Sequence, residues 1–185
     1  MGILTANEIK REQGNGIVIE PFQEQNVNPN SYNLRLDLYS LKYAPTCVKF
    51  DCAEDNANLF EPLFGKDDLR IEKDVWLLPS RLYLACTIEH TTVNNYVPII
   101  VGRSSLARLG VEVHRTAGFG DLGFNGFWTL EITCTNKIRV YHGMNIAQIY
   151  FVEPKGEIDT LYTGKYQNNE GCQTSKLYLD NFNNQ

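Results

Sequence analysis

Residues 102–134 read GRSSLARLGVEVHRTAGFGDLGFNGFWTLEITC, and the alternation at the end of this stretch decides the fold class. A strand is predicted over residues 127–134, because apolar and polar residues alternate there and successive strand side chains point to opposite faces. The apolar face comprises Trp128, Leu130, Ile132 and Cys134, and the other face comprises Thr129, Glu131 and Thr133. The pattern therefore predicts a sheet with one buried face, and a Glu131 that faces a cavity or solvent.

Most of the remaining chain repeats this signal of short strands separated by turns. Its 185 residues fit one domain, spanning 1–185, that is large enough to bury a core. Further strands are predicted at 16–20, 33–39, 75–78, 81–89, 96–101, 111–114, 138–141 and 145–152. Short helices are predicted after Thr5, where Thr5 and Glu8 form a capping-box pattern, and over 105–109, while 53–74 is predicted to be a charged surface excursion. These elements predict an all-β sandwich, jelly roll or distorted barrel.

The composition argues against several classes of partner. The formal charge is −5, whereas general nucleic-acid or membrane-surface binders are usually basic. The sequence shows no signal peptide and no apolar span, and its five cysteines include no CxxC pair. We therefore expect a cytoplasmic protein with reduced thiols and with neither a nucleic-acid nor a membrane partner.

The segment Gly102-Arg103-Ser104-Ser105 offers groups that suit an oxyanion. Two hydroxyls, backbone N–H groups and the Arg103 guanidinium would together hold phosphate oxygens, with Arg108 nearby. The alternative interpretation is structural: Ser104 or Ser105 caps a helical turn while Arg103 lies on the surface. Taken alone, these four residues favour the structural alternative.

Two isolated carboxylates follow the basic segment. Asp121 lies in the glycine-rich residues 117–126, where it either forms a turn with its own backbone or binds a sugar hydroxyl or a water. Glu131 is either a solvated charge on a strand or a group that activates water. A zinc-activated water would require a His-x-Glu element and a Pro-Cys-x-x-Cys pair, and the sequence has neither. If the chain deaminates a nucleotide, a carboxylate must activate the water without zinc.

Taken in order, the motifs resemble those of the dCTP deaminase branch of the dUTPase-like superfamily. The central matches are RSSLAR at 103–108, TAGF at 116–119, D-x-GF-x-G at 121–126 and TLE at 129–131. Supporting matches are NSYNLRL at 30–36, GM-x-I-x-Q at 143–148 and GKYQ at 164–167, so the resemblance covers most of the chain. It implies a distorted, jelly-roll-like β-barrel with a few short helices, assembled as a homotrimer with active sites between subunits.

The resemblance also implies a reaction and its site residues. Water would attack C4 of the cytosine of dCTP, giving dUTP and ammonia, with Glu131 as general acid/base. Ser104 and Arg108 would position the water and stabilise charge, and Asp121 would bind the deoxyribose or hold a water. Nucleotide contacts are implied for Arg103, Ser104, Ser105, Leu106, Ala107, Arg108, Ala117, Asp121, Thr129, Leu130, Glu131, Tyr162, Lys165 and Asn169.

Other implications concern cofactors, regulation and the C-terminal residues. Magnesium would accompany the triphosphate without a dedicated protein site, and zinc would play no part. Feedback inhibition by dTTP is a further implication of the resemblance. Residues 156–185, rich in Gly, Asn, Gln and Lys, are predicted to be a mobile tail that closes over the nucleotide.

Gly118-Phe119 departs from the pattern of many deaminases that form dUTP, which have His-Arg after the Thr-Ala pair. The Ala-Gly-Phe form resembles bifunctional deaminase–diphosphatases, in which a water held by the residue matching Asp121 would also attack the phosphate chain and give dUMP and pyrophosphate. We rank dUTP-forming deamination first, because residues 103–108 and 129–131 occur together, and the bifunctional reaction second. A dUTPase without deaminase activity ranks third, and a non-catalytic dNTP-binding regulatory module ranks fourth.

Overall fold

A computed structural model of the chain describes residues 2–45, 47–64 and 74–180, and within these residues strands predominate. Two short helices are present, α1 (Ala6–Glu12) and α2 (Ser104–Ala107). The strands are β1 (Ile17–Glu20), β2 (Val27–Asn28), β3 (Ser31–Tyr43), β4 (Glu61–Pro62), β5 (Asp74–Leu77), β6 (Tyr83–Val93), β7 (Val97–Gly102), β8 (Val111–Glu112), β9 (Phe124–Cys134), β10 (Ile138–Tyr141) and β11 (Asn145–Val152). Single 3₁₀ turns occur at Glu24–Asn26, Ala57–Leu59 and Leu177–Asp180.

Nine of these strands form one antiparallel sheet that bends into a nearly closed, distorted barrel. The main path runs β7-β11-β3-β6-β9-β8, with β1 paired to β6 and with β2 and β4 paired to β3. Strands β5 and β10 form a separate two-stranded ribbon. The predicted all-β barrel is confirmed, and the predicted bounds of β10 and β11 match those observed.

The core lies on the face that the sequence alternation predicted. Leu34, Leu36 and Leu38 of β3 are fully buried, and Leu130 and Ile132 of β9 pack into the same cluster. Each such side chain contributes roughly 1.5–3 kcal/mol by leaving water. Glu131, between the two core residues of β9, points to the other face, as predicted.

Two irregular pairings break this alternation near the site. The register of β6 against β9 shifts between Cys86 and His90, opposite Trp128. The Trp128 backbone N–H therefore donates to the Thr87 hydroxyl, and its indole Nε1 donates to the Thr91 hydroxyl at 2.8 Å. Trp128 was predicted to be a core residue that could also border a pocket beside Thr129, and it does line the pocket on the Glu131 side.

The predicted capping box at the start of α1 is wrong. Thr5 occupies the N-cap position, but its side chain makes no capping hydrogen bond. A different N–H of the first turn finds a partner, since the Ala6 N–H donates to the Pro29 carbonyl at 2.8 Å. Glu8 forms an ion pair with Arg11 rather than reaching back to the cap.

Residues after β11 extend back along the barrel instead of leaving it. The Tyr162 N–H donates to the Leu122 carbonyl at 2.7 Å, and the Asn168 N–H donates to the Asn125 carbonyl at 2.8 Å. These bonds hold residues 161–175 beside the start of β9. The predicted tail, 156–185, and the predicted excursion, 53–74, both extend beyond the described residues, at 181–185 and 65–73.

Candidate active site

A pocket of about 520 Å³ lies between β9, the loop that precedes it and the C-terminal segment. It combines an apolar floor with a few polar groups, the usual composition of a small-molecule site. Its lining residues are Phe60, Leu82, Leu84, Ala117, Phe119, Gly120, Asp121, Phe124, Phe127, Trp128, Thr129, Glu131, Tyr162, Tyr166, Asn169, Gln173, Thr174 and Ser175. Six residues predicted to bind the nucleotide are therefore brought together: Ala117, Asp121, Thr129, Glu131, Tyr162 and Asn169.

Glu131 is half-buried on this pocket, in a register position opposite Leu84. Burial raises the pKa of the Glu131 carboxyl above its usual range, because low polarity disfavours the charged form. A hydrogen bond from a backbone N–H of Arg115 and the nearby His114 both lower this pKa, but by less than burial raises it. A carboxyl whose pKa is raised holds a proton more readily than an ordinary glutamate, which suits a group that accepts and returns one.

Asp121 reaches the same pocket from the loop before β9. The loop is fixed at Gly123, where φ is +84° and the N–H donates to the Val93 carbonyl at 2.7 Å. Such a φ favours glycine because a Cβ would be strained there. Asp121 itself is exposed, so the pocket holds one half-buried and one solvated carboxylate.

Gly118 has no room for a side chain. A Cβ at this position would lie 2.3 Å from the Ile100 carbonyl oxygen and 3.2 Å from His114 Nε2. The Gly118 carbonyl accepts a hydrogen bond from the Ile100 N–H at 2.7 Å, so the loop adds to the edge of β7. This pairing turns Phe119 outward, where it is 67% exposed beside the pocket.

An aromatic wall, formed by Phe124, Trp128 and Tyr162, closes one side of the pocket. The rings of Phe124 and Trp128 lie 4.3 Å apart, and the rings of Phe124 and Tyr162 lie 6.2 Å apart. Sequence reasoning did not assign Phe124 to the site, although it lies inside the glycine motif at 121–126. The wall gives an apolar surface against which a sugar or base would pack.

His114 is a second residue that sequence reasoning missed. It lies close enough to Glu131 to affect the carboxyl electrostatically, and its buried Nδ1 has no hydrogen-bond partner among the described residues. No ligand-like spacing marked this histidine. Only the folding of residues 113–118 against β9 and β7 brings it to the site.

Polar groups of the C-terminal segment bond directly to β9. The Asn169 side-chain oxygen accepts from the Phe127 N–H at 3.1 Å, and the Gln173 N–H donates to the Thr129 hydroxyl at 2.9 Å. Gly126 allows this approach, since a Cβ there would lie 2.4 Å from Asn169 Nδ2. The segment therefore covers the pocket by specific contacts with the strand that carries Glu131.

The basic segment, residues 103–108, lies outside the pocket. None of its residues is among those that line the pocket in the described part of the chain. Arg103 donates to the Asn145 carbonyl at 3.1 Å rather than lying free on the surface. Arg108 donates to the Ser104 carbonyl at 3.0 Å. Ser104, Ser105 and Ala107 are exposed, whereas Leu106 is buried in the core.

Two further predicted residues do not present side chains to the pocket. The Leu130 side chain lies in the core, so only its backbone is available to a ligand. The Lys165 ammonium lies 2.6 Å from both carboxylate oxygens of Asp180. A phosphate group would have to displace this carboxylate to reach Lys165.

Neither a metal cage nor a membrane span occurs in the described part of the chain. No three His, Cys, Asp or Glu side chains there are grouped as metal ligands. None of its helices has the length and apolar character needed to cross a bilayer.

The bent antiparallel sheet, with its carboxylate-bearing pocket beside β9, defines the class of the protein as an all-β barrel of the dUTPase-like type. A solved structure, the 2′-deoxycytidine 5′-triphosphate deaminase of Agrobacterium tumefaciens, is similar in fold with a TM-score of 0.62. The two sequences are 23% identical, and the match covers 81% of this chain and 47% of that protein.

The chain belongs to the dCTP deaminase-like family, whose model matches residues 3–153. A relative from Clostridium acetobutylicum named "dCTP deaminase, dUMP-forming" is 46% identical over 181 residues, covering 98% of this chain and 99% of the relative. Proteins of the same name from Cytophaga hutchinsonii and Leptospira biflexa are 46% and 47% identical over 178 residues, with 98% and 97% of each relative covered. The predicted family resemblance is confirmed.

Proposed function

We propose that this chain is a hydrolase that converts dCTP to dUMP, by deamination at the base followed by hydrolysis of the triphosphate. The observation that carries the proposal is the identity of 46% over nearly the full length of a relative named as dUMP-forming. Such names favour the bifunctional alternative over the dUTP-forming reaction that the sequence motifs ranked first. The Ala117-Gly118-Phe119 loop supports the same choice.

In the deamination step, Glu131 would act as general base and then as general acid. Its carboxylate takes a proton from water as the water oxygen bonds to C4 of the cytosine. The carboxyl then returns this proton to the exocyclic amine, the C4–N bond breaks, and ammonia leaves. The remaining proton of the added hydroxyl moves to N3, which gives the C4 carbonyl and the N3–H of uracil. The net reaction is dCTP and water to dUTP and ammonia, and the raised pKa of Glu131 suits both transfers.

In the hydrolysis step, Asp121 would orient a second water towards the α-phosphorus. The water oxygen bonds to phosphorus, the bond to the bridging oxygen breaks, and pyrophosphate leaves with dUMP as the other product. The exposed position of Asp121 on the pocket supports a carboxylate that accepts a hydrogen bond from water and orients it. Magnesium would be held by the phosphates of the substrate, since pyrophosphate is a strongly charged leaving group.

We also infer that a neighbouring copy supplies the basic residues, in a homotrimer with shared sites. The described pocket contains both acids, while Arg103, Ser104 and Arg108 lie outside it. Triphosphate binding is strengthened by cationic donors, and no Lys or Arg is among the residues that line the described pocket. A neighbour that presents residues 103–108 would complete it.

The test is product analysis with the purified protein and Mg²⁺. We expect dCTP to yield dUMP, pyrophosphate and ammonia, with little free dUTP. Accumulation of dUTP from dCTP would instead support the dUTP-forming deaminase, for which the joint presence of RSSLAR and TLE argues. Hydrolysis of dUTP without attack on dCTP would identify a dUTPase, and nucleotide binding without turnover would identify a regulatory module. Any of these three outcomes overturns the proposal.

A further inference from the structure

Two cysteines lie near Thr129, where the C-terminal segment crosses the barrel beside the pocket. Cys86 is buried on β6, in a register position opposite Thr129 of β9. Cys172 immediately precedes Gln173, whose N–H donates to that same Thr129 at 2.9 Å. Thr129 therefore joins the strand that carries one thiol to the segment that carries the other.

Both thiols lie close to Thr129, and each affects the surroundings of the other. The backbone N–H of Cys172 faces the Cys86 sulfur and lowers its pKa, but burial dominates and raises the pKa of Cys86 to about 11. Burial, and next the neighbouring Cys86, raises the pKa of Cys172 to about 12. Both groups are free thiols in this structure, and neither is among the residues that line the described pocket.

We propose that Cys86 and Cys172 form a reversible disulfide that locks the C-terminal segment over the pocket. Gln173, Thr174 and Ser175, directly after Cys172, line the pocket, so a bond at Cys172 fixes the pocket wall to β6. Hydrogen bonds to Leu122, Gly123, Asn125, Phe127 and Thr129 hold this segment. Asn169 is its only buried residue within 161–175, and segments with little buried surface open locally at lower cost than the core. A covalent link would suppress that opening.

The bond forms by exchange with a low-molecular-weight disulfide. Cys172, the more exposed thiol, loses its proton to solvent when the segment opens, and its thiolate attacks the small disulfide. One small thiolate leaves, and a mixed disulfide remains on Cys172. After closure the Cys86 thiol gives its proton to the Asp37 carboxylate, whose oxygen lies 3.7 Å from the sulfur, and the Cys86 sulfur attacks the Cys172 sulfur. The second small thiolate leaves and takes up that proton. Two protein thiols are oxidised, and one small disulfide is reduced to two thiols.

The expected effect of the disulfide on dCTP turnover rests on the proposed function. The formation of the Cys86–Cys172 disulfide does not depend on that function. A segment that covers the pocket must open to admit substrate and release product. The oxidised protein should therefore turn over dCTP at least about tenfold more slowly than the reduced protein, with recovery after dithiothreitol.

The experiment treats the whole protein with oxidised glutathione and maps its peptides without reduction. We expect one linked pair that contains Cys86 and Cys172, slower hydrogen exchange over 161–176, and slower dCTP turnover. Cys172→Ala should abolish all three effects. The matched control Cys52→Ala, which removes an exposed thiol, should leave them intact.

Absence of the Cys86–Cys172 peptide would overturn the proposal, and so would a linked protein whose hydrogen exchange over 161–176 is unchanged. Equal sensitivity of Cys172→Ala to glutathione would also overturn it. Peptide mapping and hydrogen exchange need no turnover. A reduced protein inactive on dCTP would therefore contradict the proposed function while these two measurements still decide the disulfide.

Discussion

Glu131 shows how a single residue acquires chemistry from its surroundings. On an isolated strand it would be an ordinary solvated carboxylate. Here the core residues Leu130 and Ile132 flank it in sequence, and the pocket wall half-buries it, so its charged form is disfavoured. Active sites commonly carry carboxyls whose pKa is tuned in this way.

Glu131→Gln should lower kcat for dCTP by roughly 10²–10⁴-fold while dCTP binding largely survives. The amide keeps the shape of the side chain but cannot shuttle a proton. Steady-state kinetics and calorimetric binding measure the two effects. The matched control is Glu157→Gln, at an exposed position, which should keep full activity. An active Glu131→Gln variant would remove Glu131 from the proposed role.

The same substitution has an expected effect on stability with a definite sign. Because the folded-state pKa of Glu131 is raised above 4.5, the wild type loses stability as pH rises from 4.5 through the folded pKa. A glutamine does not titrate, so Glu131→Gln should gain in unfolding free energy, relative to wild type, between about pH 4 and about pH 8. Urea unfolding of both proteins at both pH values measures the difference in unfolding free energy. If this difference does not grow in favour of Glu131→Gln as the pH rises, the Glu131 carboxyl is not buried as described.

At the scale of elements, periodicity predicted the strands but not their irregularities. Strands β10 and β11 begin and end where the alternation of their residues predicts. The Trp128 side chain borders the pocket because the register of β6 against β9 shifts opposite it, which no local pattern reveals. The predicted capping box of α1 is also absent, because Glu8 pairs with Arg11 and Thr5 makes no capping hydrogen bond.

The C-terminal segment contains an ion pair that should compete with nucleotide. Asp180 holds both carboxylate oxygens at 2.6 Å from the Lys165 ammonium, where a phosphate oxygen is predicted to bind. Asp180→Asn should tighten dUTP binding up to about fivefold, the effect of an exposed pair worth up to ~1 kcal/mol. Titration calorimetry measures the affinity. Asp159→Asn, at an exposed position, is the control, and an equal gain there would indicate a general charge effect instead.

At the scale of the whole molecule, the separation of the acids from residues 103–108 leads to a mixing experiment. Glu131→Gln and Arg108→Ala should each be inactive alone. If sites form between chains, random assembly of equal amounts should restore about a quarter of the sites, each pairing an intact Glu131 with a neighbour's Arg108. Refolding the two variants together and measuring dUMP formation tests this. Activity no greater than that of the separate variants would indicate that each chain builds its own site.

The sequence alone determined the strand alternation, the family motifs and the identity of both acids, because these depend on residue type and local periodicity. Only the tertiary structure decided that Asp121, Glu131 and Asn169 share a pocket that residues 103–108 do not reach. It also decided that Trp128 and Phe124 form the pocket wall and that Cys86 and Cys172 both lie beside Thr129. These relations join residues far apart in the chain, through a shifted strand register and a returning C-terminal segment, and such long-range contacts leave no periodic signal in the sequence.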